Sequence, residues 1–89
     1  MNENCVPRFN PLFRFQWEKA QDCYVLLYPE GMIKLNPSGG EILALVDGRR
    51  TLADITRTLQ QKFPDAGGLS HDVREFFGVA HEQNWIRLH

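Results

Sequence analysis

Along residues 12–18 apolar and polar side chains alternate, with Phe13, Phe15 and Trp17 on one side and Arg14, Gln16 and Glu18 on the other. A period of two predicts a strand with one buried face. A polar turn over 19–22 leads into Cys23, Tyr24, Val25, Leu26, Leu27 and Tyr28, whose aromatic and branched content predicts a second, more deeply buried strand. Pro29, Glu30 and Gly31 break that run. Proline presets the backbone for an early turn position and glycine tolerates positive φ at a late one, so 28–31 predicts a hairpin connection. Met32, Ile33, Lys34 and Leu35 then form a third, antiparallel strand. Its far edge, unless covered, carries unpaired backbone N–H and C=O groups.

From Asn36 the period changes. Ser38 and Glu41 fit a capping box, in which serine accepts from the amide three residues on and glutamate reaches back. The helix that follows buries Ile42, Leu43, Leu45 and Val46, and Gly48 suits the left-handed residue that ends it. Gly39 and Gly40 in its first turn cost helix propensity, of order 1 kcal/mol each against alanine in a helix interior. Close packing against the sheet is the structural reason expected for them. Thr51 and Asp54 repeat the capping pattern, and Leu52, Ile55, Leu59 and Phe63 recur at spacings of three and four, predicting a second helix stopped at Pro64. After a loop with two glycines, Ser70 caps a third helix with Val73, Phe76, Phe77 and Ala80 on its inner face, ending near Asn84. The closing Trp85, Ile86, Arg87 and Leu88 suit a short extended segment over the core.

Three strands followed by three helices, without strand-helix-strand alternation, predict an α+β fold. A three-stranded antiparallel sheet carrying helices on one face is winged-helix-like. The 89 residues, 43% of them apolar, suit one domain with one modest core. Residues 1–11 hold two prolines and few large apolar groups, so they read as a flexible N-terminal arm outside the core unless docked, leaving 12–89 as the domain. No run of 18 apolar residues exists and the N-terminus lacks a signal-peptide pattern, so no membrane association and a cytoplasmic location are expected. Cys5 and Cys23 have no CxxC spacing and are expected as free thiols in that reducing compartment.

Catalytic motifs are absent: there is no GxSxG, HExxH, GxxxxGK[ST] or GxGxxG. His71 and His81 stand ten residues apart, about three turns along a helix and on different faces, which makes them poor joint metal ligands. Cys23 lies in an apolar strand with no adjacent base and reads as a small buried hydrophobe. No catalytic residue, metal or cofactor is expected. A winged-helix architecture raises DNA binding as an alternative, alongside a general interaction domain. The formal net charge of −1, and a third helix with Asp72, Glu75 and Glu82 against Arg74 alone, argue against a nucleic-acid partner.

What remains is the free edge of the third strand. An extended peptide can add itself to such an edge, gaining main-chain hydrogen bonds while neighbouring pockets select its side chains. The expected site is Met32, Ile33, Lys34 and Leu35 on the edge, with Val73, Phe76, Phe77 and Ala80 as the adjoining wall, although apolar helical spacing also suits those four to ordinary core.

Residues 34–63, KLNPSGGEILALVDGRRTLADITRTLQQKF, followed by DVREFFGVAHEQNWI at 72–86, resemble the PqqD family. The likeness includes the Leu35-Asn36 step, the Ile42-Leu43 pair, Asp47-Gly48, the Thr51 cap and the last helix leading to Trp85-Ile86. It extends upstream through residues 7–36 and covers nearly the whole chain. The Gly39-Gly40 pair, where small residues such as alanine are more familiar, departs from the pattern. The resemblance implies a non-catalytic peptide chaperone of pyrroloquinoline quinone (PQQ) biosynthesis. Such a chaperone binds the precursor peptide PqqA and presents it to PqqE, a radical S-adenosylmethionine (SAM) enzyme. It also implies the RiPP recognition element fold, in which a leader peptide pairs with the third strand and packs on the third helix. A homo-oligomer formed by exchange of elements is compatible with the glycine- and proline-marked junctions.

Overall fold

The computed structural model describes residues 2–89. The chain runs β1 (Pro7–Phe9), β2 (Arg14–Glu18), β3 (Cys23–Tyr28), β4 (Gly31–Lys34), α1 (Pro37–Leu43), α2 (Leu52–Lys62), α3 (Leu69–Glu82) and β5 (Ile86–Leu88). The meander β2-β3-β4 is antiparallel, with Phe15 opposite Leu26 and Leu26 opposite Ile33, and the three helices follow it as the pattern predicts. The fold is α+β.

A second sheet has no counterpart in the predicted order: β1 pairs antiparallel with β5, Arg8 opposite Arg87. The segment expected as an arm outside the core is therefore part of the fold from Pro7 onward, and Pro7 itself is fully buried. Its attachment is mostly main chain. Val6 and His89 exchange backbone hydrogen bonds, and the carbonyls of Cys5 and Glu3 accept from the amides of Leu52 and Ala53. Those two amides open α2, where an N–H has no intrahelical partner, so the arm completes the helix end. Proline fits the first residue of a strand because its missing N–H removes no ladder bond there.

Each helix start has its own reason. At α1 the cap is Asn36, whose Oδ1 accepts from Gly39 N at 2.7 Å, rather than the expected Ser38-Glu41 box. Pro37 decides this, since proline is favoured at the first helical position, where its missing amide is no loss. The helix ends at Leu43, and Gly48, at φ +77°, belongs to the turn beyond. For α2 the predicted Thr51-Asp54 box is present in both directions. No side chain caps α3, which starts at Leu69 after left-handed Gly68, one residue ahead of the expected Ser70 cap.

The core joins both sheets to all three helices through Leu26, Leu43, Ile55, Leu59, Val73, Phe77, Ala80 and Ile86. Phe77 is fully buried at its centre. Truncating such a phenylalanine to alanine costs about 3–5 kcal/mol. Gly39 and Gly40 let α1 approach its neighbours: a Cβ on Gly39 would stand 3.1 Å from Phe76 of α3, and one on Gly40 would meet Tyr24 of β3. Cys5 and Cys23 are free and half-buried.

Candidate functional site

The meander leaves β4 as one of its two edges. Leu35 N donates to Tyr24 O at 3.0 Å, so Leu35 and Tyr24 form a hydrogen-bonded pair. Hydrogen-bonded and non-bonded pairs alternate in an antiparallel ladder. Ile33, opposite Leu26, therefore directs its N–H and C=O into the sheet, and Met32 and Lys34 direct theirs away from it. Side chains alternate at right angles to this. Ile33 packs on the core and Leu35 is buried, while Met32, 40% exposed, and Lys34 point to solvent. Of the four edge residues expected from the pattern, two present main-chain groups and two anchor the strand.

The expected helical wall separates in the same way. Val73, Phe77 and Ala80 are at most 1% exposed and belong to the core. Phe76 is half-buried, edge-on to Phe77 with ring centroids 5.8 Å apart and tilted against Trp85. Its ring also meets Gly39, the third residue of α1, so α3 abuts the chain shortly after β4 ends. Three residues along, Val79 is 47% exposed and continues the stripe outward. Pattern reading missed Val79 because a 3.6-residue period identifies an apolar arc without showing which part of it a neighbour covers.

Beyond Pro37 the chain enters a cleft of about 520 Å³ lined by residues of all three helices, among them Pro37, Ile42, Leu59, Phe63, Leu69 and Val73. Phe63, the C-cap of α2, is 40% exposed on it. Glu41 and Asp72 are its acidic members, and Glu41 is paired with Lys62. Apart from Val73, these residues were absent from the expected site, because they lie far apart in sequence. The spacing counted Phe63 with the apolar face of α2, whereas the helix stops at Lys62 and leaves the Phe63 ring at the surface.

Electrostatic perturbation lies away from this surface. The backbone amides of Arg50 and Arg49, with the Arg50 guanidinium 3.4 Å away, hold the Asp47 carboxyl below its ordinary range. Asp54 is lowered by the Thr51 amide and hydroxyl and by Arg57. Both carboxylates stabilise turns and caps. His71 pairs with Glu75 at 2.9 Å in solvent, and no group of three or more His, Cys, Asp or Glu among the described residues is arranged to hold a metal. The arrangement offers main-chain donors and acceptors beside apolar surface, which is chemistry for holding an extended chain.

The chain is similar to several known proteins. The family described as Coenzyme PQQ synthesis protein D (PqqD) matches residues 23–86. A PqqA binding protein of Azotobacter vinelandii is 54% identical over 86 residues, covering 97% of this chain and 94% of that protein. A PqqA binding protein of Pseudomonas aeruginosa is 58% identical over 83 residues, covering 93% and 90%. The fold is similar to the solution NMR structure of the PqqD truncation of Methylobacterium extorquens PqqCD, described as a stand-alone RiPP recognition element. The TM-score is 0.80 at 24% identity, over 98% of this chain and 94% of that one.

Proposed function

This chain belongs to the PqqD family, and from that premise we propose that it is a non-catalytic carrier of the precursor peptide PqqA in PQQ biosynthesis. PqqA adds as a strand to β4 and is presented in the cytoplasm to the radical SAM enzyme PqqE. The observation that carries this reading is the outward main chain of Met32 and Lys34 on an open sheet edge. Strand addition draws its affinity from such groups and its selectivity from nearby pockets. Phe76 and Val79 supply apolar surface on α3, and the three-helix cleft can receive a side chain from the peptide's continuation.

The names of the relatives support PqqA as the ligand. The α3 surface supports a peptide over DNA, because its exposed Asp72, Glu75 and Glu82 would repel phosphates. In an amide-shift titration with PqqA, the largest changes are expected at residues 31–35 and along Phe76 and Val79. Changes confined to β1, β5 and α2 would refute strand addition here. Adding PqqE to the loaded protein should give a ternary complex on gel filtration; release of free PqqA instead would refute presentation.

A further inference from the structure

The meander has a second open edge, that of β2, on the far side of the sheet from β4. Tyr24 and Leu26 direct their main chain to β4, so Cys23, Val25 and Leu27 bond to β2, and their partners Glu18, Gln16 and Arg14 turn N–H and C=O inward. Phe15 and Trp17 turn theirs outward, and among the described residues no other element runs along that side. Phe15 is half-buried between Phe9 and Tyr24, whereas Trp17 is 51% exposed. The strand has no proline, lysine or bulge, which are common devices for blunting an edge. Its charges are Arg14 at one end and Glu18 at the other. Neither joins an ion pair among the described residues, and Glu18 Oε1 accepts from the Ala20 amide at 3.2 Å.

Arg14-Phe15-Gln16-Trp17-Glu18 is complementary to its own reverse. Two copies laid antiparallel about Gln16 set Arg14 opposite Glu18 of the second copy and Phe15 opposite its Trp17, each twice by symmetry. Phe15 and Trp17 are the residues with outward main chain, so each of their pairs exchanges two backbone hydrogen bonds, while Gln16 faces its counterpart across a non-bonded pair. Aromatic pairs and opposite charges directly across a ladder stabilise it, and like charges there destabilise it. Centring the pair on Phe15 or Trp17 instead loses both charge pairs. We infer that the β2 edge is an interface for a second copy of this chain, pairing β2 with β2 in a symmetric homodimer. The two-fold axis stands perpendicular to the sheet, so the helices of both copies lie on one face and the two β4 edges remain open at the ends of a six-stranded sheet. A strand of five residues makes a small interface, and the dimer forms reversibly at high concentration.

The test is sedimentation of the full chain, of its Arg14→Glu and Glu18→Arg variants, and of the two variants mixed, from about 10 μM to about 1 mM, a range suited to a small interface. Both substituted side chains lie outside the core. The parent chain should pass from monomer to dimer across this range. In either variant alone like charges face each other, and the dissociation constant should rise about tenfold or more. An equimolar mixture should recover the dimer, because a strand with two acids then faces a strand with two bases. Positions 14 and 18 of one strand are about 13 Å apart, so no contact within a chain can produce that recovery. A parent chain that stays monomeric to the top of the range overturns the proposal. So do dimers that neither reversal weakens, or a loss that mixing does not recover. PqqA should bind the parent chain and both folded variants equally, since β4 lies at the other edge. Weaker binding by the variants would give the β2 edge to the peptide and overturn the dimer.

Discussion

Gly40 lies against the ring of Tyr24 so closely that a Cβ on it would come within 2.7 Å of Tyr24 Cδ2 and 3.2 Å of Tyr24 Cβ. The obstructing atoms are at the base of the ring, which cannot swing away as the end of a flexible side chain would. Tyr24 is further held by the stacked Phe15 ring at 4.7 Å.

Gly40→Ala should therefore destabilise the protein although alanine is the better helix former. Overpacking costs about 1–3 kcal/mol, against a propensity gain of about 1 kcal/mol at most. Thermal unfolding should show a lower midpoint for this variant. A midpoint at or above that of the parent chain would mean that α1 can lift from the sheet at little cost.

Asn10 is a second point where one side chain joins distant parts of the chain. It is 8% exposed, donates from Nδ2 to the Asn84 carbonyl at 2.8 Å and accepts at Oδ1 from the Leu12 amide at 3.0 Å. Removing the side chain takes away two part-buried hydrogen bonds, each worth about 0.5–1.5 kcal/mol net. Asn10→Ala should lower urea stability by at least the bottom of that range. It should also speed hydrogen exchange at the Val6 and His89 amides, which join the two chain ends. Unchanged exchange there would show that β1 and β5 hold without this link.

These two residues also show where the sequence was readable. The meander was legible because each strand alternates or is bounded by turn residues, and α2 because Thr51 and Asp54 mark its start without a competitor. At α1 two capping residues stand two apart, and choosing Asn36 requires weighing Pro37 between them. The β1-β5 pair was hidden for another reason. Its bonds run between main-chain groups at opposite ends of the chain, and such groups leave no mark in composition. On α3 the period located Val73, Phe77 and Ala80 correctly as an apolar arc, but that arc is core, and the surface open to a partner lies at its margin with Phe76 and Val79.

Acid should weaken the fold through the two lowered carboxyls. Asp47 and Asp54 have folded-state pKa values below the ordinary 3.8, so each binds its proton more readily unfolded than folded. Their contribution is fully present above the unfolded pKa and is lost as pH falls through the folded one. The midpoint of unfolding should thus hold steady from neutral pH to about pH 5 on their account and fall below pH 4. Asp47→Asn and Asp54→Asn keep an acceptor oxygen without the titration and should flatten the acid limb. An equally steep limb in the double variant would place the loss elsewhere.

Proline substitution along β4 separates its pairing with β3 from the peptide pairing proposed for its outer edge. The Lys34 amide points away from β3, whereas that of Ile33 points toward it, opposite Leu26. Proline is tolerated on an edge strand where the N–H side faces solvent and disrupts a ladder where it does not. Lys34→Pro should therefore fold with a nearly unchanged melting temperature yet bind PqqA roughly tenfold or more weakly, having lost a main-chain donor worth about a kilocalorie and the fit of the added strand. Ile33→Pro should lose stability first, and binding only as a consequence. Lys34→Met retains the amide while removing the charge, so normal PqqA affinity in that variant would assign the proline effect to the backbone. If Lys34→Pro instead bound PqqA as the parent chain does, the outward edge of β4 would not be where the peptide pairs.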